Sequence, residues 1–118
     1  MHEMKIQPAY YEAILNGNKR IEIRLNDDKC QLIKIGDVIT FKRADNLKET
    51  FDVIVIDLLY YPTFDEIIND LDIELIANKD SDKNELKSLL SKFYTKEEEQ
   101  RYGVVGIKFE LRDTSGKI

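Results

Sequence analysis

Three residues in the stretch GNKRIEIRL, Gly17 to Leu25, carry groups that act well together on a polar ligand: Lys19, Glu22 and Arg24. An ammonium meets a phosphate or polarises a carbonyl, and a guanidinium offers a planar fork for bidentate contact with a phosphate or a base edge. A carboxylate between them accepts hydrogen bonds only, which suits an exocyclic amine or ring N–H of a nucleobase. The spacing decides how they are presented. Ile21, Ile23 and Leu25 alternate with Arg20, Glu22 and Arg24, the period of a strand with one apolar face, and Lys19 falls in the turn just before it. The charged face is then either a row of solvated ion pairs worth roughly 0–1 kcal/mol, or a recognition surface.

Further candidates each have a plainer structural role beside the chemical one. Asp28 and Lys29 follow in a turn, where they contact a ligand or build an Asx-type turn. His2, the single histidine, has an imidazole suited to proton transfer near neutral pH, but it stands beside the N-terminus. Tyr94 and Tyr102 bracket a short helix and either stack on a base or fill a core edge. Tyr102 precedes Gly103, which permits close backbone approach. Tyr60 and Tyr61 end a strand, so one turns inward and the outward one is another stacking candidate. Cys30 reads as a buried, inert thiol. Glu97, Glu98 and Glu99 read as acids at a helix start, because adjacent carboxylates diverge around a helix instead of converging on a metal. One cysteine and one histidine make neither an internal disulfide nor a Cys/His zinc site, so no metal and no cofactor is expected.

The elements that must hold these groups are legible. HEMKIQ is extended; PAYYEAILNG is a helix with Pro8 in its first turn, Gly17 past its end, and Tyr11, Ile14 and Leu15 as its buried stripe. After the charged strand come a polar connection NDDKCQ, a turn at Gly36 and Asp37, the strand VITFKR, a loop around ADNL, and a long strand ETFDVIVIDLLYY ended by Pro62. Capping-box pairs Thr63/Glu66, Asp82/Glu85 and Thr95/Glu98 mark short helices. VVGIKFEL closes the chain, with Val105, Ile107, Phe109 and Leu111 on one face. Strands of mixed length with a hairpin-length gap between two of them exclude a doubly wound parallel sheet and favour an α+β domain, a small curled sheet or barrel with flanking helices.

At 118 residues and 42% hydrophobic content the chain suffices for one core without disulfides or metal. With no run of about 18 apolar residues and no signal-peptide pattern, a soluble cytoplasmic protein without membrane contact is expected. The net charge of −5 argues against a general nucleic-acid coat, which needs many cation–phosphate contacts. A local positive site on an acidic body suits one nucleotide or a short RNA element.

HEMKI, the G-x-K-x-x-E-x-R element at Gly17, Lys19, Glu22 and Arg24, GDVITF at 36–41, and YTKEEEQRYGVVGI at 94–107 together resemble the ASCH domain. The resemblance spans residues 2–111 and implies one domain over 1–118, with 112–118 as a C-terminal tail. It implies a PUA-like β-barrel, a pseudo-barrel of mixed strands with flanking helices, and a regulatory module of RNA metabolism. RNA or a small nucleotide-like ligand would lie in a cleft beside Lys19, Glu22 and Arg24, with Arg20, outside the family pattern, as a surface ion-pair partner. One branch of the family hydrolyses an N-acylated cytidine nucleoside, with a catalytic lysine at the position of Lys19 and a threonine nucleophile where this chain has Glu22. A hydrolase using Lys19 and Glu22 as acid and base with a water nucleophile is therefore one alternative. A protein-interaction module docking through residues 63–101, with an exposed apolar stripe there, is another. The oligomeric state is open.

Overall fold

The computed structural model describes residues 2–112. The expected tail lies outside them beyond Arg112, whose N–H donates to Asp52 O at 2.9 Å. In chain order the elements are β1 (His2–Ile6), α1 (Pro8–Leu15), β2 (Ile21–Leu25), β3 (Val38–Arg43), β4 (Asn46–Tyr61), α2 (Phe64–Asp70), α3 (Ile73–Ile76), α4 (Lys83–Phe93), α5 (Lys96–Tyr102) and β5 (Val104–Leu111). The strands form one mixed sheet in the order β1-β3-β4-β5-β2, with β1 parallel to β3 and the other pairs antiparallel. This is the α+β, PUA-like architecture expected, a curled half-barrel flanked by helices. No helix of the described residues is long and apolar enough to cross a membrane.

The curl has a local cause. Around Val55 and Asp57 the register between β4 and β5 shifts, leaving Ile56 as the extra residue. Such a bulge bends the strand and reverses which residues face inward. Val53 and Val55 enter the core before it, and Leu58, of opposite parity, packs against the same core after it. The inner face buries Phe41, Val53, Val55, Val105, Ile107 and Phe109 against β1 and α1. Behind β5 and β2 a second cluster joins Ile21, Ile23 and Leu25 to Phe64, Ile67 and Ile68 of α2 and to Ile76 and Leu86. Gly106 sits where α2 meets β5. A Cβ there would stand 2.9 Å from Ile67 Cδ1 and 3.2 Å from Ile21 Cγ2, both fixed in this second core. Gly106→Ala is expected to cost about 1–3 kcal/mol as overpacking, read as a lowered urea midpoint with unchanged slope.

Several local expectations need correction. Leu15 is 45% exposed and Ala13 takes its place in the α1 stripe, because the helix is only two turns long and ends as the chain reverses at Gly17. Leu111, the last residue of β5, is paired with Val53 but lies beyond the edge of the core and is exposed. The loop around ADNL is only a tight turn at Ala44 and Asp45, and β4 begins at Asn46. Of the three capping boxes, that of Thr95 and Glu98 closes in both directions. Thr63 accepts from Glu66 N–H without the reciprocal bond, and Asp82 accepts from Asn84 N–H. Glu99 is buried and caps a different helix: its Oε2 accepts Phe64 N–H, at the first residue of α2, at 2.8 Å. The three successive glutamates thus diverge, one to its own cap and one to a neighbouring helix.

Candidate binding cleft

Gly17, at a φ of +89° that favours glycine, turns the chain back beneath α1, and the amides of Asn18 and Lys19 both reach Ala13 O. Arg20 N–H donates to Leu75 O at 2.9 Å, and Arg20 O accepts Phe109 N–H at 3.1 Å. The segment before β2 is therefore clamped between α3 and β5, which drives Lys19 inward until it is 2% exposed. Its ammonium donates to the carbonyls of Ile21 and Ile76, each at 2.7 Å, and stands 3.1 Å from Glu22 Oε1. Three donors meet three acceptors. Ile76 closes α3, so its carbonyl is one that a helix end leaves without an internal partner.

β2 places the other two groups. Glu22 pairs opposite Ile107 and Arg24 opposite Val105, so both point to the inner side of the half-barrel. Glu22 is 8% exposed, and its Oε2 accepts from Arg24 Nε at 2.7 Å. A terminal nitrogen of Arg24 donates to Lys5 O at 2.8 Å, and Lys29 Nζ donates to Glu3 O at 2.9 Å. Ile6 O faces the β3 side, where Ala44 N–H meets it, so the alternate carbonyls of Glu3 and Lys5 face the open edge of the sheet. Arg24 and Lys29 thus tie β1 to the β2 side across a gap that no backbone ladder spans.

Burial acts on all three charges. It raises the Glu22 carboxyl, but the Lys19 and Arg24 cations more than reverse this and hold it below the usual carboxylate range. Burial pulls Lys19 below its ordinary value against the opposing pull of Glu22. Burial also raises the Tyr10 and Tyr94 hydroxyls, so both rings present neutral O–H groups at neutral pH.

Above the triad, between the two edge strands, opens a cleft of about 190 Å3. Lys19, Glu22 and Arg24 line it from β2 and the preceding turn, Lys5, Ile6 and Gln7 from the β1 side, and Tyr10 from α1. Lys19 Nζ lies 5.2 Å from the Tyr10 ring centroid. The remaining wall is the apolar stripe of α4, Leu86, Leu89, Leu90 and Phe93, followed by Tyr94. The Tyr94 ring stacks on Phe64, centroids 5.1 Å apart and planes 19° apart, which fixes its orientation.

The ASCH domain model matches residues 4–113. The chain belongs to the ASCH domain family. The crystal structure of the hypothetical protein PH0355 is 34% identical, with a TM-score of 0.81 over 93% of this chain and 97% of that one. The solution structure of protein PF0455 from Pyrococcus furiosus is 32% identical, with a TM-score of 0.74 over 95% of this chain and 97% of that one. No curated protein matches.

In this ASCH domain Lys19, Glu22, Arg24 and Tyr94 converge on one cleft, and the other candidates do not. The charged strand face is neither solvated nor paired through Arg20: Arg20 is exposed and donates to Gly17 O, and Glu22 is taken by Lys19 and Arg24 instead. Asp28 is exposed in its turn, and the Asx-type bond is made by Asp27, whose Oδ1 accepts Cys30 N–H. His2 starts β1, away from the cleft, and its Nε2 lies 2.8 Å from Asp37 Oδ2. Tyr102 packs against the helix-side core beneath Arg101, off the cleft. Gly103 does permit a close approach, but by Tyr61 O, 3.3 Å from where its Cβ would be. Tyr60 is the outward tyrosine, 64% exposed, whereas Tyr61 bonds Asp70. The Cys30 thiol is buried and pushed up to about 11 by desolvation, as an inert thiol should be. Tyr10, Ile76 O and the α4 stripe escaped the sequence reading. Only the stripe carries a signal in the sequence that could find it, the i, i+3, i+4, i+7 spacing of Leu86, Leu89, Leu90 and Phe93.

Proposed function

We propose that the cleft receives a single nucleobase, of RNA or of a free nucleotide, and that the domain acts as a recognition module in RNA metabolism. The observation that carries this is the state of Glu22. It is a carboxylate kept anionic by two cations at the base of an otherwise apolar and aromatic cleft. There it accepts from a base amine or ring N–H while Tyr94 and Tyr10 offer ring faces and neutral hydroxyls. The volume, about 190 Å3, is below the roughly 300–1,000 Å3 of pockets for larger ligands and suits one base rather than a stacked run. Hydrolysis is less well supported. As a general base toward water Glu22 is weakened by the two cations that hold it below the usual carboxylate range. The Lys19 ammonium has all three N–H groups committed to protein acceptors and none free for a leaving group, and acyl transfer to Glu22 itself would give a labile anhydride.

Calorimetric titration with adenosine, cytidine, guanosine, uridine and short RNAs tests the reading. Glu22→Gln keeps the shape and removes the charge, so it is expected to weaken binding about tenfold or more, the worth of one charge-assisted hydrogen bond. If none of these compounds binds the wild-type protein, the proposal is wrong.

A further inference from the structure

Arg24 and Lys5 line two cavities at once. Beyond the cleft they form part of an open groove of about 330 Å3, completed by Glu3, Met4, Lys29, Lys42 and Leu47. Four cations thus converge on a space with one carboxylate, Glu3, and that carboxylate is ion-paired to Lys42 at 2.9 Å. On a chain of net charge −5 this is a local focus of positive potential. The sheet itself does not account for it. Lys5 and Lys42 are register partners across β1 and β3, and like charges directly opposite one another destabilise a sheet. The Lys5 ammonium makes no hydrogen bond or ion pair among the described residues, and Lys29 gives only one of its N–H groups, to Glu3 O. An anion between them would relieve the repulsion and satisfy the remaining donors.

We propose that this groove holds the phosphate of the ligand whose base enters the cleft, with Arg24 and Lys5 at the junction. The inference rests on the base-binding reading above and narrows the ligand class to nucleotides, free or within a strand, as opposed to nucleosides. Arg24 is suited to the junction, because its Nε is fixed on Glu22 while the far end of the fork reaches the β1 edge.

The test compares adenosine, cytidine and guanosine with their 5′- and 3′-monophosphates and with short RNA oligonucleotides, by calorimetry at two salt concentrations. A monophosphate is expected to bind about tenfold or more tighter than its nucleoside, and to lose that advantage as salt rises. Lys29→Gln and Lys42→Gln, which line the groove and not the cleft, should each remove much of the advantage, and Lys42→Gln, clear of the β1–β2 tie, should leave nucleoside affinity unchanged. An oligonucleotide that binds tighter than the monophosphate, with a steeper salt slope, supports the proposal with a strand as the source. Equal affinity supports it with a free nucleotide. Equal binding of nucleoside and nucleotide overturns the groove and leaves the base reading standing, as does a phosphate advantage that survives both lysine substitutions. Failure of every compound to bind overturns both.

Discussion

Lys19→Met is expected to cost about 3–5 kcal/mol of folding stability, the range for removing one partner of a buried ion pair. Methionine fills similar space, so packing contributes little to the loss. What is lost is the cation that serves two carbonyls, Ile21 O and Ile76 O, and one oxygen of a buried carboxylate. Each of those acceptors is then left desolvated with no donor. Urea denaturation should give a lower midpoint with little change in slope. In a double-mutant cycle, adding Glu22→Gln to Lys19→Met should cost less than Glu22→Gln does alone, because the carboxylate would already have lost one of its two cations. A loss below about 1 kcal/mol would mean that Lys19 contributes no more than an exposed pair does.

Glu22→Gln is expected to cost a comparable amount at neutral pH, about 3–5 kcal/mol, since it leaves two cations facing a neutral amide. It should also change how stability responds to acid. The folded-state pKa of Glu22 is held below its unfolded value of about 4.3, so in that range the unfolded chain binds more protons. The contribution of Glu22 is therefore complete above the unfolded value and is lost as pH falls through the folded one. The wild-type protein should lose stability steeply on that acid limb, and Glu22→Gln should lose much less. Glu3 and Asp37 are also depressed, by Lys42 and by the Lys34 amide with His2. Both groups are present in wild type and variant alike and lie away from the triad, so their contributions cancel in the difference, which isolates Glu22. Parallel acid limbs would show that the buried triad does not govern acid stability.

The sequence made the order of strands and helices legible because its signals there are local: period-two alternation, capping residues and turn glycines. It failed where two distant segments meet. α3 is a single turn, too short for periodicity, yet it supplies the carbonyl that receives Lys19. The β4 bulge depends on pairing with β5, and no residue type in IVIDLL announces it. Spacing and family pattern single out Lys19, Glu22 and Arg24 but not their burial, because a charged strand face looks solvated until β1, α3 and α4 are brought around it. The same limit explains Arg20, which shares strand parity with Glu22 but precedes β2: its backbone is held by Leu75 and Phe109 while its side chain stays outside. His2 and Tyr102 belong to segments within the resemblance, but the fold directs one to Asp37 and the other to the opposite core.

The junction of β1 with β2 also bears on self-association. A strand whose outer carbonyls lack partners is a template onto which another chain can add its own strand. Here the exposed edge of β1 is occupied by two side chains, Arg24 on Lys5 O and Lys29 on Glu3 O, each covering a backbone acceptor and setting a positive charge beside it. A second molecule approaching edge to edge meets its own cations. The groups that open this edge to a small anion are thus the ones that close it to another copy of the sheet, and substitutions that strip them tie solubility to the same few residues as recognition.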